Sequence, residues 1–362
     1  MFFSSLRTAA FRNLADTEIF TGAKDIFLVG ENGQGKTNFL EALYFCAYAS
    51  SFRTAHDSEL ARNEEKDFSA EVKIAQSVNN NILVKFEKGK KSVFINGKRA
   101  VDRKELLSIA PSIVFCHEDM EFVNGSPESR RWFFDQTLSL YDPVYLDDLR
   151  RFRHVLKSRN SVLRDFAQRK LTDSPEPVLD ALDPQFAMYG QKLMEKRETA
   201  AEQFSSVFSR LYEEVSGISG INVRYIKSWK GENDTTAHLN EKRAVDLAAG
   251  ISTTGPHRDR YVFAHNGIEF TGKASTGQKR LLALLLRAAQ ARRFSEMTGF
   301  NPVFLLDDVL LEMDGEKRRR FLSVMPAYDQ AFYTFLPEEP YERYRKKETI
   351  IYNVKNGQLN PQ

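Results

Sequence analysis

Cysteine is nearly missing: Cys46 and Cys116 are the only two in 362 residues. Each lies within or beside an apolar stretch, and their spacing suits neither a metal site nor a disulfide framework, so a reduced interior is expected. No charged segment followed by an apolar core opens the chain, and no apolar run is long enough to cross a bilayer. A soluble, cytoplasmic protein without membrane association is therefore expected. Charge of either sign is almost cancelled, with 52 Lys and Arg against 49 Asp and Glu and a net of +3. Overall charge therefore implies no polyanion partner, and a nucleic-acid surface would have to be local. Internal repeats and sustained heptads are also lacking, which excludes a long coiled-coil arm. The length allows about two domains with a real core.

What is present begins with Ile26-Phe27-Leu28-Val29, an apolar run leading directly into Gly30-Glu31-Asn32-Gly33-Gln34-Gly35-Lys36-Thr37. The run predicts a short buried strand, and Phe39, Leu40, Leu43 and Ala47 recur at helical spacing beyond it. A strand, a glycine-rich loop and a helix start in that order form a phosphate cradle. Gly30, Gly33 and Gly35 let backbone N–H groups converge on an anion at the positive end of the helix dipole. Lys36 can reach β and γ phosphates, and the Thr37 hydroxyl can hold Mg²⁺. The candidate nucleotide contacts run from Gly30 through Glu31, Asn32, Gly33, Gln34, Gly35, Lys36 and Thr37 to Asn38.

A second part of the same chemistry lies far along the chain. Val303-Phe304-Leu305-Leu306 reads as a strand buried on both faces, ending in Asp307-Asp308, where open α/β sheets bind ligands. Asp307 suits Mg²⁺, directly or through water, and strand alternation turns Asp308 the other way, where it could orient the attacking water. Lys273-Ala274-Ser275-Thr276-Gly277-Gln278-Lys279-Arg280 precedes the helical run Leu281 to Ala291. Ser275 is placed to cap that helix, and Gly277 leaves room for a phosphate. The segment resembles an ABC-type signature, which implies a dimer whose signature closes on the nucleotide of the partner. Leu311-Glu312-Met313-Asp314 resembles a D-loop, placing Asp314 beside Ser275 at that dimer seam.

Around these motifs, β-like runs at Phe2 to Leu6, Val72 to Ile74, Ile82 to Phe86 and Val93 to Ile95, with an Asn96-Gly97 hairpin turn, point to a β subdomain. From Glu128 the pattern becomes long, charged and helical, broken at Asp142-Pro143 and at Thr172 to Pro177. β-like runs return at Asn222 to Tyr225 and Tyr261 to Ala264. The expected division is an ATPase head from 1–125 plus 250–362 around an inserted helical lobe, 126–249. Within the lobe, Arg150, Arg151, Arg153, Lys157, Arg159, Arg164, Arg169 and Lys170 face a single acid, Asp165, between Leu149 and Lys170. Helical spacing sets Arg150, Arg153, Lys157 and Arg164 on one face and Leu149, Phe152, Leu156 and Leu163 on another. That pattern is either a solvated basic face or a DNA contact.

These pieces, in this order, resemble the RecF family of bacterial DNA-repair ATPases, relatives of the SMC-type ATPases. Phe11-Arg12-Asn13, Ser51-Phe52-Arg53-Thr54, Gly125 to Arg131, Thr254-Gly255-Pro256-His257-Arg258-Asp259 and Leu305 to Val309 extend the likeness over most of the chain. The resemblance implies an α/β fold: an ABC-type P-loop head with an antiparallel β subdomain and an inserted helical lobe. It implies ATP and Mg²⁺ as cofactors, Lys36 and Asp308 as catalytic groups, and slow ATP hydrolysis coupled to dimerisation. It further implies binding to gapped or single-stranded DNA in recombinational repair, with RecR and RecO helping RecA onto single strands. Arg12 and Arg53 either bring positive charge to the triphosphate or form salt bridges within the head. His257 and Arg258 either face DNA or nucleotide or belong to a structural turn. Cys116-His117-Glu118-Asp119 stands where a Q-loop glutamine would be sought, and Thr334 where transporter relatives carry a switch histidine. A transporter ATPase subunit and a nucleotide-switched, non-catalytic scaffold are the alternative readings.

Overall fold

A computed structural model describes residues 1–76, 78–102, 104–169, 174–229, 235–309, 313 and 315–362. In chain order the first strands are β1 (Phe2–Ala9), β2 (Glu18–Phe20) and β3 (Asp25–Val29), followed by helix α1 (Lys36–Tyr48). Next come β4 (Phe68–Ala75), β5 (Asn80–Glu87), β6 (Lys90–Ile95), β7 (Lys98–Arg99), α2 (Lys104–Ile109) and β8 (Ser112–Phe115). A helical stretch follows: α3 (Glu121–Asn124), α4 (Pro127–Tyr141), α5 (Pro143–Ala167) and α6 (Glu176–Ser216). Then come β9 (Ile221–Ile226), α7 (Thr235–Ala249), β10 (Arg260–His265), β11 (Ile268–Glu269) and α8 (Thr276–Thr298). The chain closes with β12 (Val303–Leu306), α9 (Gly315–Val324), β13 (Gln330–Phe335), β14 (Thr349–Lys355) and β15 (Gln358–Pro361). Two compact units result: Met1–Asp119 with Leu286–Gln362, and Met120–Leu285.

The first unit holds two sheets. One is antiparallel, in the order β2-β1-β4-β5-β6-β7, and the other runs β15-β14-β3-β13-β12-β8. In the second sheet β14, β3, β13, β12 and β8 are parallel, and only the edge strand β15 is antiparallel. All five residues of β3 are buried, as a central strand covered on both faces requires. Helix α1 packs against strands of both sheets, which explains why it is apolar nearly all round instead of amphipathic. Its Cys46 lies in the core that fills this layer, and burial pushes the thiol far above its ordinary pKa.

One polar side chain ties the two sheets together. Gln330, fully buried at the start of β13, donates its amide N–H groups to the carbonyls of Thr21 at 2.5 Å, Ala23 at 2.9 Å and Phe3 at 3.1 Å. Its own oxygen accepts from the Phe3 N–H at 2.7 Å. Every polar atom of the side chain is thereby satisfied by backbone of β1 and of the segment between β2 and β3.

The second unit is built on α5 and α6, and a core of Tyr145, Leu149, Phe152, Phe186 and Leu193 lies among its helices. Asp142 caps α5 by accepting from the Tyr145 N–H at 2.8 Å, with Pro143 at the first helical position, so the expected break is a helix start. The expected loop at Thr172 to Pro177 falls partly on residues outside those described. The lobe is not wholly helical: β11-β10-β9 form a three-stranded sheet. Because β10 pairs with β9 along its whole length, residues 250–285 belong to this unit, whereas the sequence division returns to the head at 250.

Two buried arginines hold this unit. Arg159, counted among the basic residues of this helix but not placed on its cationic face, is fully buried; it donates to Asp183 at 2.8 Å, Asp246 at 2.7 Å and Ser252 at 2.8 Å, linking α5, α6 and α7. Arg197 donates to Asp135 at 2.8 Å, to Asp259 at 3.1 Å and to the Pro256 carbonyl at 2.8 Å. Counter-ions plus hydrogen bonds are what make such burial tolerable.

Replacing Gln330 by Leu leaves the Phe3 N–H and the Ala23 carbonyl without this partner, while the carbonyls of Phe3 and Thr21 keep one other donor each, the Thr21 hydroxyl and the Ala23 N–H. The expected loss is about 2–4 kcal/mol of stability in urea denaturation, with the folded state's circular dichroism unchanged.

Candidate functional site

Strand β3 delivers the chain into the glycine-rich loop, and Gly30 N–H closes the turn on the Phe335 carbonyl at 3.1 Å. Gly35 then precedes α1 with φ of 118°, a conformation that favours glycine. No side chain caps α1, so the first N–H groups of this helix have no side-chain partner and point outward, the arrangement an anion requires. Lys36, almost completely buried, donates from Nζ to the carbonyls of Gly30 at 2.5 Å and Glu31 at 3.1 Å, which holds its charge at the loop. Glu31, Asn32 and Gly33 are exposed at the mouth.

The loop is braced from the far end of the chain. Gln34 accepts from Asn356 N–H at 2.7 Å through its side chain and from Gly357 N–H at 2.8 Å through its carbonyl. Gly357 sits in the β14–β15 turn with φ of 75°, and a Cβ there would lie 1.8 Å from the Asn13 carbonyl oxygen. Asn13 donates to the Gly33 carbonyl at 3.2 Å and accepts from Asn38 at 2.8 Å. The sequence reading missed this brace, although Asn356-Gly357 is a hairpin dipeptide of the same kind as Asn96-Gly97.

Both strand-end acids reach the loop helix or its neighbour. The Thr37 hydroxyl donates to Asp307 at 2.8 Å across 270 positions of sequence. Strand β12 stops at Leu306, and Asp308 adopts φ of 52°, so the strict alternation expected of the two acids does not apply. Instead one hydroxyl serves both. Thr334, next to last in β13, accepts from the Asp308 N–H at 2.7 Å, donates to the Asp308 carboxylate at 2.7 Å and lies 3.3 Å from Asp307. Burial, followed by the charge of Asp308, pushes the Asp307 carboxyl up to about 7, against a lowering hydrogen bond from Thr37. Thr37 and Asp307 are the donor set Mg²⁺ accepts from a protein when phosphate oxygens and water complete its shell, so the residues fit that ion.

Arg12 and Arg53 converge on one buried carboxylate. Glu41, on α1, accepts from Arg12 Nε at 2.9 Å and Nη2 at 3.1 Å, and from Arg53 at 3.3 Å. Arg53 also donates to Asn38 at 2.9 Å and lies 4.0 Å from Glu118. The loop after β8 is therefore divided in use. Asp119 is buried against Arg287 at 2.8 Å, whereas Glu118 is partly exposed and its charge adds to the upward push on Asp307. The sequence names Glu118 only as part of the stretch Cys116 to Asp119, where a Q-loop glutamine would be sought; the parallel pairing of β8 with β12 is what brings it near.

In the second unit, Ser275 and Gln278 cap α8 reciprocally: Ser275 Oγ accepts from the Gln278 N–H at 3.3 Å, and Gln278 Oε1 accepts from the Ser275 N–H at 2.8 Å. Ser275 and Gly277 are exposed, and a Cβ on Gly277 would meet nothing within 4 Å, so the fold of this chain does not itself require glycine there. Asp314, with Leu311 and Glu312, lies outside the described residues. On α5, Arg150, Arg153, Lys157 and Arg164 are exposed while Leu149, Phe152, Val155 and Leu163 are buried. Arg150 lies 3.8 Å from Asp147, and Arg153 lies 3.3 Å from Asp135. Lys170 lies outside the described residues. The Thr254 to Asp259 segment is mostly interior. The Asp259 carboxylate accepts from Arg197, the Tyr225 hydroxyl and the Ser228 N–H, and the mostly buried His257 bonds the Ser252 carbonyl at 2.9 Å. Burial pushes His257 down to about 4, so its ring is neutral and donates from Nε2.

A parallel sheet with a phosphate loop at one strand end, paired acids at another and an antiparallel subdomain beside it defines a P-loop ATPase head of the ABC and SMC type with an inserted lobe. The family model described as RecF/RecN/SMC N terminal domain matches residues 2–358. The DNA replication and repair protein RecF of Treponema pallidum (strain Nichols) is 40% identical over 351 residues, covering 96% of this chain and 97% of that protein. The solved structure of the recombination mediator protein RecF with ATP in the RecFOR pathway superposes with a TM-score of 0.89 at 25% identity, covering 100% and 99% of the two chains. An SMC head bound to the C-winged helix domain of ScpA shares the fold, with a TM-score of 0.56 at 15% identity over 100% of this chain and 98% of that one. The chain belongs to the RecF family.

Because Asp307 titrates far above a free carboxyl, its charged form opposes folding: the contribution is harmless below the unfolded value and grows as pH rises from about 4 to 7. Asp307→Asn is therefore expected to stabilise metal-free protein at pH 8 by roughly 4 kcal/mol and by about a third of that at pH 5. Thermal denaturation in chelator at the two pH values checks this, and an equal effect at both would contradict it.

Proposed function

We propose that this chain is an ATP-dependent DNA-binding protein of bacterial recombinational repair and replication, acting in the cytoplasm as a slow ATPase that dimerises around nucleotide. The observation that carries the reading is the uncapped start of α1, with Lys36 held at the loop and Thr37 joined to Asp307, in a chain of RecF type. Lys36 and the loop residues Gly30 to Asn38 bind the phosphates of ATP, and Thr37 with Asp307 holds Mg²⁺. The bound ion neutralises phosphate charge and lets Asp307 stay ionised at neutral pH. Asp308, fixed by Thr334 on both its N–H and its carboxylate, orients the attacking water. Arg12 and Arg53 are held beside the loop by Glu41, with Glu118 near Arg53 as well, from where they can turn to the triphosphate. Glu118 takes the metal-side place where relatives of the ABC type use glutamine.

Ser275, Gly277 and Gln278 of one protomer close on the nucleotide of a second copy. The open space at Gly277 supports this, since glycine there serves an approach from outside the chain. Differential affinity for triphosphate in the closed pair is enough to make a switch. DNA, gapped duplex or single-stranded, is bound through sequence-independent phosphate contacts, with the exposed cations of α5 contributing. RecO, RecR and RecA are the partners such a cycle serves, in keeping with the solved relative, a RecF of the RecFOR pathway.

Two tests separate the parts of this reading. Lys36→Arg is expected to lower ATP hydrolysis by about 100-fold or more with little change in melting temperature, whereas Ser275→Arg keeps ATP binding and loses ATP-dependent dimers. Light scattering with ATP, ADP and no nucleotide checks the second variant, and ATP-induced dimers of Ser275→Arg would refute the closing contact. For DNA, Arg150→Glu combined with Lys157→Glu should weaken gapped-duplex binding and flatten its salt dependence by about two units of slope. Arg153 is left intact in that variant because it also neighbours the buried Asp135. Unchanged affinity across a salt titration would remove α5 from the interface.

A further inference from the structure

The face of the parallel sheet turned away from α1 carries a cavity of about 410 Å³ that no step above uses. One register row supplies its floor: Leu306 on β12, Tyr333 on β13 and Phe27 on β3 stand side by side, and Leu322 of α9 and Met325 complete it. Asp25, at the opening end of β3, is neutralised inside the cavity by Lys346 at 3.1 Å and by the Tyr328 hydroxyl, which donates to it at 2.8 Å. The lip then carries Arg343 and Arg345. Among the described residues Arg343 has no ion-pair partner, and Arg345 has only an exposed contact with Glu342 at 3.5 Å. Exposed pairs of that kind contribute little. A second hollow of about 340 Å³ is lined by the chain neighbours of Asp25 and Lys346, Lys24 and Lys347, together with Glu348 and Phe2.

We infer that this cavity is a docking site for an acidic peptide segment of a partner protein, anchored by one large apolar side chain. An apolar floor enclosed on several sides, with cations around its mouth, selects an apolar anchor flanked by carboxylates. The volume lies in the range of built ligand pockets and accommodates such a side chain with its adjoining backbone. The aromatic rings speak against a nucleic-acid base as the occupant. Phe27 already meets Tyr333 edge-on at 5.4 Å, and Tyr333 and Tyr344 are both stacked on Phe335. Stacking a base needs a free ring face, whereas Leu306, Leu322 and Met325 offer aliphatic contact. The cavity opens at the Asp25 end of β3, about 13 Å of strand rise from Val29, while its floor residues Leu306 and Tyr333 directly precede Asp307 and Thr334 and turn to the opposite face of the sheet from α1.

The full-length protein titrated against a fluorescein-labelled octapeptide, six Asp or Glu around one central Phe and one Gly, tests this by anisotropy. Saturable binding that weakens with added salt is expected. It should fall by about tenfold when the peptide Phe becomes Ala and by about fivefold in Arg343→Glu. Arg343 is exposed and lies outside the nucleotide machinery, so unchanged ATP binding by that variant confirms its fold. Met325→Arg, which fills the cavity from within, should abolish binding. Absence of saturable binding, equal affinity for the Ala peptide, or indifference to Arg343→Glu would each overturn the proposal. So would displacement of the peptide by an eight-nucleotide oligothymidylate that binds more tightly and shows the same dependence on Arg343, which would give the cavity to single-stranded nucleic acid.

Discussion

The bond between the Thr37 hydroxyl and Asp307 is the contact on which the candidate site depends. It joins the first turn of α1 to the end of β12, and both elements are placed by one parallel sheet, so neither half of the chemistry exists without the other. Thr334 extends the same chain of hydroxyls and carboxylates to Asp308, and through it β13 fixes the second acid. Three segments, near residues 37, 307 and 334, thus meet within a few hydrogen bonds. Close packing around β3 keeps them in register, because each is the C-terminal end of a buried strand or the helix that follows one.

Much of the head was legible because its signals are local. A five-residue buried strand, three glycines and the Lys-Thr pair lie consecutively, and the apolar run before Asp307 announces its strand without any tertiary knowledge. The Ser275–Gln278 cap is likewise a short-range pattern. What escaped the sequence is the set of contacts made between distant segments. Glu41 is one acid on an apolar helix until Arg12 and Arg53 arrive on it from two other loops. Asn356 and Gly357 look like an ordinary turn until the phosphate loop is seen resting on them. The opposed orientation expected for Asp307 and Asp308 failed for a simpler reason: the strand ended one residue too soon for alternation to hold.

The lobe shows where charge density alone says too little. Helical spacing sorts four cations of α5 onto one face, but it does not say where the remaining basic residues go, since burial is not visible in sequence. Arg159 is a core residue, fully buried and paired with Asp183 and Asp246, while Arg150, Arg153, Lys157 and Arg164 stay exposed. The Thr254 to Asp259 segment follows the same logic. Its polar residues suggest a surface working with ligand, yet Asp259 and His257 are occupied in holding turn and helix together. Buried polar networks of this kind specify one arrangement of helices because an unpaired member is costly.

The strand order of the parallel sheet also governs when the head can form. β3 is made early, but both of its neighbours, β13 and β14, come from beyond residue 329. On a ribosome, therefore, β3 and the phosphate loop must wait with unpaired edges until nearly the whole polypeptide has emerged, whereas residues 120–285 can reach their own compact state first. A nascent chain in that interval exposes an apolar strand, and its protection by a holding chaperone would matter more to the yield of active protein than the intrinsic stability of the finished fold.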